Sequence, residues 1–272
     1  MAIVAITDNT FPSLDIEERI LGGFGFTVRA GQWKTVDVLI ADVADADAVI
    51  TQFAPITAAV IGAMAMAEVI VRYGIGVDNV DLDAAKARNI PVCNVPDYCI
   101  DEVADHTLAL LLAITRQVVP NALHIREGRW GLATPMDRMR SLRDATVGVV
   151  GFGRIGREVA ARLKAFKCRV LIHDPVVAPA DIAGAGCTPV ALGELLSQSD
   201  AITLHGPSTA ATRGLVNAQS LAAMKPGVIL INVARGDLVE SDALVAALRS
   251  GRVSAAGLDV FAPERFPRTI RF

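Results

Sequence analysis

Three glycines spaced as Gly151-Phe152-Gly153-Arg154-Ile155-Gly156 follow an apolar run, Thr146 to Val150, and open a helix-like stretch. Glycines at this spacing are common in ordinary turns. Here the loop joins a strand to a helix, and an acid, Asp174, stands at the end of the next strand, which makes it a dinucleotide-binding signature. Gly151 permits the tight turn, Gly153 lets backbone amides approach a pyrophosphate, and Gly156 lets the helix pack closely. The positive end of the helix favours the negative charge. Arg154 and Ile155 lie inside the same loop, with Arg154 directed at the pyrophosphate. Asp174 is placed to accept hydrogen bonds from the adenosine ribose hydroxyls and to repel a 2'-phosphate, so the expected cofactor is NAD rather than NADP.

The elements that position this loop recur along the second half of the chain. A helix from Ile155 to Phe166 is expected, with strands at Arg169–His173, Ala201–Leu204, Val228–Val233 and in the stretch leading to Leu258. Short apolar runs at Ile3–Ile6, Val38–Ala41, Val49–Phe53, Val69–Tyr73 and Val92–Val95 are expected strands of the first half, alternating with helical stretches. That alternation predicts an α/β protein with two doubly wound parallel-sheet domains. Residues 1–99 form the first domain and 121–272 the second. Residues 100–120 form an interdomain helix with Asp101 and Glu102 in its first turn and Pro120 closing it. The arginines between Arg138 and Arg143 read as a solvated face.

Composition narrows the partners. At 272 residues and 52% hydrophobic content the chain can fill more than one core. With 26 basic against 29 acidic side chains and a net charge of -3, it has no electrostatic footprint for nucleic acid or an anionic membrane. A small-molecule partner is expected. Cys93, Cys99, Cys168 and Cys187 show neither CxxC spacing nor a histidine cluster, so no metal site is expected and the thiols read as reduced. The longest apolar run, Leu108 to Ile114, is far below the roughly 20 residues of a membrane span, and the N-terminus begins as a strand, which together predict a cytoplasmic protein.

A longer set of motifs extends the reading. Arg72-Tyr73-Gly74-Ile75-Gly76-Val77-Asp78-Asn79, Asn94-Val95-Pro96, Glu102-Val103-Ala104-Asp105-His106-Thr107, the glycine loop, Leu204-His205-Gly206-Pro207, Met224-Lys225-Pro226-Gly227, Ile231 to Gly236 and Leu258 to Glu264 occur in that order. Together they resemble the D-isomer-specific 2-hydroxy-acid dehydrogenase family. That family includes phosphoglycerate, glycerate and D-lactate dehydrogenases, glyoxylate reductases and the C-terminal binding protein corepressors. The resemblance implies a flavodoxin-like substrate domain, a Rossmann NAD-binding domain, and hydride exchange between a D-2-hydroxy acid and a 2-keto acid. It further implies a homodimer.

A 2-keto acid needs amide donors for its carboxylate, a cation for its oxygens and an acid for the developing alkoxide. By similarity, the backbone around Ile75, Gly76 and Val77 holds the carboxylate. Arg235 suits the cation, because a guanidinium presents a fixed fork of donors and stays charged. Glu264 is similar to the carboxylate that orients the family's acid histidine and raises its pKa. Further cofactor contacts are implied at His205, Pro207, Thr107 and Ala234, and at Asp259, which matches the residue facing the nicotinamide carboxamide.

No histidine follows Glu264. His106, His124, His173 and His205 are the four present, and none matches the acid position. Arg265 to Phe272 abandons the family pattern, for which a shifted reading frame and a truncated end are both open explanations. The chain is therefore expected to lack the return segment to its first domain and to turn over weakly, since losing a general acid lowers rate about 100-fold to 10,000-fold. The rival reading is an NAD(H)-sensing interaction protein resembling the corepressor branch.

Overall fold

The computed structural model describes residues 2–33 and 35–262. It divides into two units, Met1–Tyr98 and Cys99–Phe272. In the first, strands β1 (Ile3–Ile6), β2 (Thr27–Ala30), β3 (Ala48–Thr51), β4 (Val69–Arg72) and β5 (Val92–Cys93) alternate with helices α1 (Asp15–Gly23), α2 (Val36–Val43), α3 (Ala58–Ala63) and α4 (Leu82–Ala87). The sheet order is β2-β1-β3-β4-β5, every pair parallel. This is the flavodoxin-like order, in which chain direction across the sheet reverses between β1 and β3. Ala5, Val49 and Ile70 meet Leu39 and Val43 of α2 and Val60 and Ile61 of α3 in the core. Thr57 and Asp81 start α3 and α4 by accepting bonds from the amides of Val60 and Ala84, the usual service of a short polar side chain at a helix start.

Two expectations for this unit need correction. The run Val38–Ala41 is helix rather than strand, lying inside α2. A short apolar run fits either element, and here Leu39 and Val43, one helical turn apart, both face the core. The second strand, β2, went unread because its four residues, Thr-Val-Arg-Ala, are all partly or fully exposed at the sheet edge and form no apolar run.

The second unit comprises α5 (Ile100–Thr115), α6 (Val118–Arg126), β6 (Thr146–Val150), α7 (Arg154–Ala165), β7 (Arg169–His173), α8 (Pro179–Gly184), β8 (Thr188–Pro189), α9 (Leu192–Gln198), β9 (Ala201–Leu204), α10 (Ala218–Ala223), β10 (Val228–Asn232), α11 (Ser241–Arg249) and β11 (Val253–Leu258). Its strand order, β11-β10-β9-β6-β7-β8, is that of the Rossmann fold, all parallel. One apolar cluster lies under α5 and α7 and another under α9, α10 and α11. In α7 the buried residues Gly156, Val159, Ala160 and Leu163 recur at three- and four-residue steps, and Lys167 ends the element in the left-handed region.

The stretch expected as one interdomain helix, 100–120, is instead two helices. Gln117 takes a left-handed conformation, φ 54°, and turns the chain by 65° between α5 and α6. Pro120 closes nothing: it occupies the first turn of α6, where its missing N–H is no loss. Helix α5 packs on α7, β10 and β11, with Ala104, Thr107, Leu108, Leu111 and Thr115 buried. Arg162 of α7 binds Asp101 and Asp105 of α5 at 2.6 and 2.7 Å. These contacts make α5 part of the second unit's sandwich. Among the described residues no single helix is long and apolar enough to cross a membrane.

Candidate functional site

The glycine loop leaves β6 at its C-terminal end, where the Rossmann sheet changes direction between β6 and β9. Gly151 has φ 95°, and a Cβ there would come within 2.8 Å of the His205 carbonyl carbon and the Gly206 nitrogen. Both the turn and the neighbouring strand end therefore require glycine. A Cβ on Gly156 would overlap the carbonyl oxygen of Gly151, so the helix can approach the turn this closely only without a side chain. Gly153 differs from both. Its conformation is ordinary, and a Cβ there would meet nothing within 4 Å. The loop thus has two walls sealed by protein and one face open, beside the N-terminus of a 12-residue helix whose first position carries no side-chain cap. Such a cradle fits a pyrophosphate. Arg154 and Ile155 begin the helix, and the Arg157 guanidinium stacks on the Phe152 ring at 4.5 Å.

Asp174 follows β7, and its carboxylate accepts from three amides: Phe152 at 2.6 Å, Val176 at 2.8 Å and Val177 at 3.0 Å. Partial burial raises its pKa, but the amides and nearby His173 outweigh that and hold it below the ordinary carboxylate range. The acid is therefore fixed to the glycine loop by the Phe152 N–H, charged, and still half-exposed. A carboxylate has about four acceptor positions, which leaves capacity for a ribose hydroxyl.

His205 closes the loop from the other side. Its amide donates to the Val150 carbonyl at 2.7 Å and its Nε2 lies 2.9 Å from the Thr203 hydroxyl. The residue as a whole is half-buried, yet its ring is enclosed, and that desolvation pushes its pKa down to about 4. It is neutral at physiological pH. Pro207 is exposed just beyond it.

Arg235 sits after β10 with extended backbone, partly buried, its Nη1 donating to the Ala234 carbonyl at 2.8 Å. Asp259 follows β11, exposed, with its carboxylate 3.5 Å from Nε2 of His106 on α5. Thr107 is buried, and its hydroxyl donates to the Val103 carbonyl at 2.7 Å, so its polar atom is committed inside α5. Glu264 lies outside the described residues.

Asn232 was missed from the sequence. It is 1% exposed, and its side chain bonds both ends of the turn carrying Arg235. A polar residue at the end of an otherwise apolar strand, three positions before a candidate cation, was the available signal.

In the first unit, Ile75, Gly76 and Val77 follow β4. Gly74 before them has φ 147° and carries the Arg72 guanidinium against its α-carbon. The Asn94 amide donates to the Ile75 carbonyl at 2.7 Å, and the Val95 N–H donates to the Gly74 carbonyl at 3.0 Å. Among the described residues none accepts a hydrogen bond from the N–H groups of Ile75, Gly76 or Val77. Three consecutive backbone donors are thus left available to an acceptor from outside the described residues. Among the described residues no group of three His, Cys, Asp or Glu is arranged to hold a metal ion.

A Rossmann sheet with a glycine cradle and an acid tied to it has the features of a dinucleotide-binding domain. Residues 108–272 match the family described as D-isomer specific 2-hydroxyacid dehydrogenase, NAD binding domain, and the chain belongs to that family. It is 45% identical to the D-3-phosphoglycerate dehydrogenase of Mycobacterium leprae (strain TN) over 227 residues, 83% of this chain and 43% of that protein. The chain spans less than half the length of the curated relatives it matches. Among solved structures it is similar to the TT0316 protein of Thermus thermophilus, with a TM-score of 0.86 and 39% identity, covering 98% of this chain and 85% of that one. The Aquifex aeolicus D-lactate dehydrogenase, complexed with NAD and lactic acid, gives a TM-score of 0.87 and 31% identity, over 95% of this chain and 77% of that one. The chain thus carries an NAD-binding domain of this family.

Proposed function

We propose that this protein belongs to an NAD-dependent oxidoreductase that interconverts a D-2-hydroxy acid and a 2-keto acid. The observation that carries the reading is the glycine cradle, sealed at Gly151 and Gly156, open at Gly153, and tied to a charged Asp174. When bound, the nicotinamide supplies or accepts the hydride. The chain's own residues bind and orient. The α7 N-terminus and the Gly153 to Gly156 backbone take the pyrophosphate, and Asp174 takes the adenosine ribose and disfavours a 2'-phosphate. In the first unit the donors at Ile75 to Val77 are available to a carboxylate, and in the second the Arg235 guanidinium is available to stabilise an oxygen on which negative charge grows.

Protonation of that oxygen is the weak step for the 272 residues by themselves. His205 is neutral and enclosed, His173 has Nδ1 3.2 Å from the Val190 carbonyl, His106 faces Asp259, and His124 lies on α6. None is placed as an acid. Glu264, by similarity, orients an acid that these residues do not include. Purified 272-residue protein is expected to bind NADH, read by nicotinamide fluorescence, and to oxidise it slowly with glyoxylate, hydroxypyruvate, pyruvate or 3-phosphohydroxypyruvate. Failure to bind NADH would end the reading; turnover at ordinary enzyme rates would overturn the statement about the acid.

A homodimer is part of the same proposal. Helix α6 buries none of its residues, and Val118, Val119, Leu123, Ile125, Trp130, Leu132 and Met136 are all exposed between positions 118 and 136. So much apolar surface in one segment favours a protein contact. Light scattering should give twice the chain mass, and V119E with L123E should give the monomer.

A further inference from the structure

Strand β10 ends at Asn232, and the site residues Arg235 and Asp259 are reached within three residues of it and across one strand pairing. The Asn232 Nδ2 donates to the Arg235 carbonyl at 2.8 Å, and its Oδ1 accepts from the Ala234 N–H at 3.1 Å. Its own carbonyl accepts from the Asp259 N–H at 3.0 Å, the last rung of the β10–β11 pairing. The turn is also pressed from outside: a Cβ on Gly236 would overlap the Phe261 backbone. At 1% exposure the amide has no water to replace these partners.

We infer that Asn232 is a positioning residue for substrate recognition, whose buried side-chain amide clamps the 232–235 turn and so fixes where the Arg235 guanidinium is presented. The inference rests on the role given to Arg235 above. Its physical basis is directional. The Asn232 side chain bonds both the residue before Arg235 and Arg235 itself, so removing it frees the backbone from which the guanidinium is projected. The glycine cradle, on β6 and α7, is held by different contacts, those of Gly151 with His205 and Gly206 and of Asp174 with Phe152. Loss of the clamp should therefore separate the two halves of binding: the 2-keto acid weakens and the cofactor does not.

The isosteric N232D keeps an acceptor for the Ala234 N–H but turns an oxygen toward the Arg235 carbonyl, and N232S removes the second bond while remaining neutral. NADH affinity is read by fluorescence, and binding of oxamate, an unreactive 2-keto-acid analogue, by quenching of the bound NADH. For both variants NADH affinity is expected within about threefold of the parent, and oxamate affinity is expected to fall about tenfold or more, since a buried group left without its partner carries a cost of that order. Should N232D fail to fold, N232S carries the test. Unchanged oxamate binding overturns the inference. A parallel loss of oxamate and NADH also overturns it, because Asn232 would then serve the fold alone. A parent chain that binds NADH but not oxamate would instead remove the role of Arg235, and the inference with it, before any variant is compared.

Discussion

Asp8 and Asp174 use the same device in the two units and end with different fates. Each stands just beyond the C-terminal end of a strand, β1 or β7, and each accepts from at least one backbone amide in the loop after a neighbouring strand, β3 or β6. Asp8 takes the N–H groups of Gln52 at 2.9 Å and Phe53 at 2.7 Å together with the hydroxyls of Thr7 and Thr51, and is 5% exposed. Asp174 takes the N–H groups of Phe152, Val176 and Val177 and remains half-exposed. The carboxylate chemistry is shared; exposure decides whether it can also serve a ligand. A buried acid whose partners are all protein is a structural tie, whereas an open one keeps acceptor capacity for a hydroxyl.

The comparison breaks most sharply at Asp8. D8A leaves the buried Gln52 amide and the partly buried Phe53 amide without this acceptor and should cost about 3 kcal/mol, seen as a large fall in denaturation midpoint. An effect below about 1 kcal/mol would mean that water replaces the carboxylate and the contrast with Asp174 is empty. D174A should cost less stability, about 1 kcal/mol, because of its three donors only Phe152 is buried while Val176 is exposed. It should nonetheless raise the NADH dissociation constant about tenfold and narrow the preference over NADPH.

The two sealed walls and the open face of the cradle give a second contrast. G156A forces a methyl into the Gly151 carbonyl and is expected to destabilise by about 1–3 kcal/mol while abolishing NADH binding. G153A, with free space around the new methyl, should leave the melting temperature unchanged yet weaken NADH about tenfold by occupying the pyrophosphate's place. Equal stability losses for the two would contradict the geometry.

A smaller effect is expected from pH. The His205 ring stays neutral down to about 4, while the unfolded chain protonates it near its ordinary 6.5. The unfolded state therefore binds more protons between those values, and stability should be complete above about pH 6.5 and fall as pH drops toward 4. Asp174 acts further down: its depressed pKa contributes stability above the ordinary carboxylate range that is lost as pH falls through the folded value. H205N should flatten the first decline in melting temperature without touching the second.

The glycine loop and Asp174 were legible because their signal is local: three glycines fall within six residues between a strand and a helix, and the acid lies at the end of the next strand. Strands β1, β6, β7 and β9 were legible with their bounds because buried parallel strands are continuous apolar runs. Helix α2 was misread as a strand because four apolar residues carry no period long enough to separate 2 from 3.6. The break between α5 and α6 was missed for another reason: it depends on the left-handed Gln117, a conformation its residue type does not announce. Asp8 escaped because its amide partners, Gln52 and Phe53, follow another strand, and Asn232 because its burial, which makes its bonds to the next turn count, is set by packing.

By itself, then, the sequence determined the two parallel α/β sheets, the cofactor loop and the candidate cation, since each follows from residue type and short-range spacing. Tertiary structure alone decided which acids are ties and which face outward, how Asn232 holds the Arg235 turn, that Thr107 is committed within its own helix, and that His205 is neutral. Those properties are set by burial and by which partner each side chain meets once the backbone is folded, even where that partner is only a turn away, and residue type alone does not encode them.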